Sequence, residues 1–104
     1  MLAVNAHRVS LHMHTGPKAT LRDQLVRAAL SVPANIVEGS AHESPKQFAR
    51  FVQYALASVS EFDGHIQLAR DLRMISESDF ATLSAQVVDV RMMLHGLLKT
   101  LKNR

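Results

Sequence analysis

SPKQFARFVQYALASVSEFDGHIQLAR, residues 44–70, decides the fold. Its apolar residues Phe48, Val52, Ala55, Val59, Phe62, Ile66 and Ala69 recur in strictly alternating steps of four and three. That rhythm draws one stripe along an α-helix; a strand would need alternation in steps of two. The start is punctuated: Ser44 stands as N-cap, Pro45 at the first helical position, and Gln47 closes a capping box. Gly64 weakens the helix without breaking it. The pattern predicts a helix over 45–73, about 40 Å long at 1.5 Å per residue.

Outward from this segment the same period continues. Ser76-Glu77-Ser78-Asp79 reads as a turn in which either serine can cap a following helix. Phe80, Leu83, Val87, Val90, Leu94, Leu97 and Leu101 then form a stripe that predicts a helix over 78–102. Lys99, Lys102 and Arg104 suit the negative end of its dipole. On the N-terminal side, Leu21, Leu25, Ala28, Val32 and Ile36 predict a helix over 19–38. Pro33 lies inside it and predicts a kink, because proline removes a hydrogen bond to the Ala29 carbonyl. Gly39 supplies the left-handed residue that ends a helix. Leu2, Ala6, Val9 and Met13 predict a first helix over 2–14, which Thr15-Gly16-Pro17 breaks.

Composition agrees. The 104 residues are 47% hydrophobic and 20% charged, with five aromatic residues, a vocabulary for helices and for one domain with one core. Two long helices joined by a short turn pack antiparallel, and heptad-like spacing favours crossing angles near 20°. The expected fold is all-α: a single antiparallel up-down-up-down four-helix bundle over 1–104. Cysteine is absent, so disulfides and thiolate metal sites are excluded. No apolar run reaches the roughly 20 residues of a membrane span, and no signal-peptide order opens the chain. A cytoplasmic location is the default expectation.

One seam cannot bury every apolar residue. Val26, Leu30 and Val37 on the second helix lie off the stripes, as do Phe51 and Leu56 on the third and Val88, Met92, Met93 and Leu98 on the fourth. Some widen the core face; the rest suggest a subunit interface and a homo-oligomer.

These residues also carry a resemblance. Gln24-Leu25-Val26-Arg27-Ala28-Ala29, then Ser31-Val32-Pro33-Ala34-Asn35-Ile36-Val37-Glu38-Gly39, then Ser44-x-x-Gln47-Phe48-x-Arg50-Phe51 and Ala55-Leu56-Ala57-Ser58-Val59-Ser60-Glu61 resemble the four-helix-bundle proteins associated with intervening sequences in bacterial 23S ribosomal RNA genes. The resemblance spans roughly residues 21–101. It implies a cytosolic bundle assembling as a cyclic homopentamer. It also implies kinship with the accessory variability proteins of diversity-generating retroelements, which bind a reverse transcriptase and nucleic acid through a basic surface. Family members begin somewhat earlier, with aromatic residues in the first helix, where this chain has His7, His12 and His14.

Catalytic chemistry finds no foothold. No serine sits in a glycine-rich elbow, and the four glycines form no phosphate loop. A di-metal centre needs Glu-x-x-His pairs on facing helices, but the first helix has no acid and Glu61 precedes His65 by four. The chain therefore reads as a non-catalytic binding protein without metal or cofactor. Arg27, Asn35, Glu38 and Glu61 form a candidate polar cluster. In the structural reading, Arg27 pairs with an acid and Asn35 satisfies backbone groups freed at Pro33; the alternative is a ligand pocket.

Net charge is +3, with eight arginines and four lysines. The candidates for nucleic-acid contact are Lys18, Arg22, Lys46, Arg50, Arg70 and Arg73, with Arg8 and Arg91 as further basic residues. Aromatic and basic residues are not interleaved along the chain. Ring symmetry would repeat modest charge into a belt for RNA, DNA or a reverse-transcriptase complex. The alternative is a structural or protein-interaction oligomer with no nucleic-acid role.

Overall fold

The computed structural model describes residues 1–13 and 19–104. Among these the chain is all-α, with four helices and no strand: α1 (Leu2–Ser10), α2 (Ala19–Ser40), α3 (Pro45–Asp71) and α4 (Glu77–Lys102). Lys18 and His14, and the Thr15-Gly16-Pro17 break, lie outside the described residues.

The apolar stripes become the core. Val52, Ala55, Val59, Phe62, Ile66 and Ala69 of α3 are buried, as are Leu25, Ala28 and Val32 of α2, Leu83, Val87, Leu94 and Leu101 of α4, and Leu2, Ala6 and Val9 of α1. Each helix packs on its neighbours in a closed circuit: α1 on α2, α2 on α3, α3 on α4, and α4 on α1. No backbone contact joins α2 to α4 directly. The off-stripe residues divide. Val26, Leu56 and Leu98 pack partly buried against the core. Leu30, Val37, Val88, Met92 and Met93 stay more than half exposed.

Three helix ends differ from the sequence pattern, each for a local reason. α1 stops at Ser10 rather than 14. Beyond it the chain tightens into three-residue bonds, His12 N to Val9 O and Met13 N to Ser10 O, while Met13 stays buried. The Ser10 hydroxyl donates to His7 O at 2.6 Å, offering the backbone a local alternative to helix.

Gly39 does not end α2. The helix continues through it to Ser40, and its role is close packing instead. A Cβ at Gly39 would stand 2.7 Å from Phe51 Cβ and 2.9 Å from Phe48 Cδ1. The position is glycine because α3 passes too near for anything larger.

α3 ends at Asp71, two residues short of 73. Leu72 is its C-cap, and Arg73 adopts a left-handed φ of 58°. Arg73 N donates to Arg70 O, and Met74 N to Ala69 O at 2.8 Å. This is the Schellman arrangement, closed by an arginine where glycine is usual. At the starts, Ser44 Oγ accepts from Gln47 N at 3.3 Å and Ser76 Oγ from Asp79 N at 3.0 Å, so Ser76 rather than Ser78 caps α4.

Side chains pin the helices lengthwise. Ser31 Oγ and Ser58 Oγ meet at 2.9 Å between α2 and α3. The Arg91 guanidinium of α4 reaches Asp63 Oδ2 at 3.4 Å and Ser60 Oγ at 3.3 Å on α3. Arg70 covers the Phe80 ring, its Cζ 4.2 Å from the centroid.

Candidate nucleic-acid interface

The start of α3 and the end of α4 lie side by side. Between them runs an open groove of about 520 Å³, lined by Ser44, Pro45, Lys46, Ala49, Arg50, Gln53, Leu101, Lys102 and Arg104. Four of these side chains are basic and none is acidic. Lys46 and Arg50 share a face because they are one helical turn apart. Lys102 and Arg104 join them because α4 finishes at the same level. None of the four has an ion-pair partner among the described residues. Four unneutralised cations around a groove make it a region of positive potential, of the sign that attracts anions.

Lys18 lies outside the described residues, and the other five candidate basic residues do not share one face of the protomer. Lys46 and Arg50 meet in this groove. Arg22 lies in another of about 470 Å³, with His7, Asp23, Val26 and Arg27, and its guanidinium is 3.2 Å from Asp23. Arg70 and Arg73 sit some 30 Å away along α3. There Arg70 is engaged with Phe80 and with Asp71 at 3.5 Å, and Arg73 closes the helix. In the sequence, Lys102 and Arg104 read as dipole partners only. The signal that places them in the groove is the near-equal length of α3 and α4, 27 and 26 residues. A short turn at one end then brings the free ends together.

The polar cluster also separates. Asn35 Nδ2 donates to Ser31 O at 2.8 Å and approaches Ser31 Oγ at 3.0 Å. It thus serves the carbonyl of Ser31, not that of Ala29, which Pro33 leaves without its helical donor. α2 is continuous through Pro33. The Ser31–Ser58 pairing sets Arg27 near the level of Glu61, yet Glu61 contacts His65 at 3.4 Å. Arg27 has no ion pair among the described residues, and Glu38 is exposed. No hydrogen bond joins any two of these four side chains. Among the described residues, no group of three His, Cys, Asp or Glu gathers as metal ligands, and no helix is long and apolar enough to cross a membrane.

The profile of the family described as 23S rRNA-intervening sequence protein matches residues 1–96. The chain belongs to the 23S rRNA-intervening sequence protein family. A solved structure from Bacteroides thetaiotaomicron, described as a protein of unknown function from the S23 ribosomal protein family, shares its fold. The TM-score is 0.76 at 16% identity, covering 95% of this chain and 99% of that one. Among curated proteins none matches.

Proposed function

We propose that this protein is a non-catalytic RNA-binding component that works as a cyclic homo-oligomer in the cytoplasm. The observation that carries the reading is the groove of Lys46, Arg50, Lys102 and Arg104, four cations with no acid among them. The family's association with ribosomal RNA genes favours RNA as the polyanion. Pairings such as Ser31 with Ser58 and Gly39 with Phe51 support an antiparallel up-down-up-down arrangement. That arrangement sets the cations at one end of the bundle, where ring symmetry would repeat them.

The test is an anisotropy titration with RNA at 50 and 200 mM salt. Neutralising about four phosphates should cost roughly 50-fold in affinity between those concentrations. Lys46→Glu with Arg50→Glu should weaken binding strongly and at least halve the logarithmic salt slope. Arg22→Glu, in the other groove, should change binding less. Absence of binding at low salt overturns the reading.

A protein-interaction oligomer without nucleic acid is the second reading. It is favoured by an apolar groove of about 470 Å³ lined by Leu2, Val32, Ile36, Val90, Leu94 and Leu97, among others.

A further inference from the structure

The corner between α2 and α3 carries an aromatic surface that the core does not consume. His42, between the helices, lies flat on Phe51, with ring centroids 5.2 Å apart and planes inclined by 17°. Phe51 meets Tyr54 edge-on, at 5.5 Å and 86°. Phe51 is half-buried and backed by Gly39, where α2 comes too close to admit a Cβ. The cluster is therefore held on a rigid base. Its outer members face solvent: Tyr54 is 49% exposed and His42 is exposed.

Sequence order hides what the helix brings together. Tyr54 follows Arg50 by one turn and so shares its face. It also directly follows Gln53, and both Arg50 and Gln53 line the basic groove. A surface of four cations thus continues into a surface of exposed rings. That pairing suits an unpaired strand, whose phosphates follow positive charge while its bases stack on aromatic faces. A duplex satisfies the cations but keeps its bases inside, out of reach of the rings. A protein partner matched to the rings would have to set apolar surface beside four unneutralised charges.

We propose that the α2–α3 corner is a base-stacking platform, on which Tyr54 stacks an unpaired RNA base while the strand's phosphates lie in the groove of Lys46, Arg50, Lys102 and Arg104. The proposal rests on the groove being an RNA site and adds that the RNA it takes is single-stranded. Stacking needs no particular base, so recognition is of strandedness rather than sequence.

Tyr54 is the only tyrosine and the chain has no tryptophan, so intrinsic emission reports on this ring alone. The probes are a single-stranded RNA of about 12 nucleotides, a fully paired hairpin and an abasic strand of the same length. Tyrosine emission should be quenched by the single strand and not by the abasic strand or the hairpin. In anisotropy titrations, Tyr54→Ala should weaken the single strand roughly tenfold and leave the abasic strand and hairpin unchanged. Tyr54→Phe should retain single-strand affinity, because the ring remains. Binding of single strand and hairpin alike, with Tyr54→Ala without effect, overturns the platform and leaves the basic groove standing. No binding of any probe at low salt removes the groove reading and the platform with it. A change in oligomer mass on Tyr54→Ala, read by light scattering, makes the rings a contact between copies and also overturns the proposal.

Discussion

Arg73 holds a left-handed backbone, φ 58°, which costs a residue with a Cβ roughly 1–2 kcal/mol. Glycine avoids that cost, so Arg73→Gly is expected to stabilise the fold by about 1 kcal/mol, read as a rise in the denaturant midpoint with unchanged slope. Gly39 is the opposite case. It lies in a helix, where alanine is normally better by about 1 kcal/mol, but a Cβ there would meet Phe51 Cβ at 2.7 Å. Gly39→Ala is expected to destabilise by about 1–3 kcal/mol, because two helices must separate to accept it. Gly64 and Gly96 have nothing within 4 Å of the same position, and Gly64→Ala is expected to stabilise by about 0.5–1 kcal/mol. The three glycines are indistinguishable by propensity. Only the approach of α3 separates Gly39 from the others, so its reading as a helix stop was the natural one from sequence and the wrong one in space.

At the scale of helices, stripes of apolar residues were legible because burial imposes its period on the chain. The stripe from Val52 to Ala69 is buried throughout. Starts were legible where a serine faces a free N–H, as at Ser44 and Ser76. Removing the cap in Ser76→Ala is expected to cost about 1 kcal/mol, measured by chemical denaturation. Ser44→Ala is expected to cost less, since its bond is longer, 3.3 Å against 3.0 Å. Ends were less legible, because α3 closes on an arginine and α1 on a tightened turn, neither of which has a residue signature. The candidate site was half legible. Lys46 and Arg50 are adjacent by helical period alone, whereas Lys102 and Arg104 join them through tertiary packing. Asn35 and Glu61 each satisfy a neighbour on their own helix, so proximity by register did not become a cluster.

For the whole molecule, the decisive quantity is the apolar surface left outside the bundle. Val37, Val88, Met92 and Met93 are each more than half exposed, and Val37 and Met93 also line the groove between α2 and α4. If assembly covers them, light scattering is expected to give about five times the 11.5 kDa chain mass. Val37→Glu with Met93→Glu is then expected to lower the mass towards a single chain while helical circular dichroism is retained. A single-chain mass for the unaltered protein at micromolar concentration would leave those side chains as plain surface.

The shortness of α1 has a consequence on the time axis. Nine residues long, without a side-chain N-cap bond or an acid in its first turn, it spans a fraction of the cleft between helices of 22 and 26 residues. The backbones of α2 and α4 do not approach each other, and the contacts of α3 with α2 and with α4 do not pass through α1. Two opening events of different size are therefore expected. Amides of α1 are expected to exchange with deuterium through its detachment, at low free energy. Those around Val59 and Phe62 are expected to wait for global unfolding. Mild denaturant should leave the exchange of α1 amides nearly unchanged and accelerate that of the α3 centre, whose opening exposes far more surface.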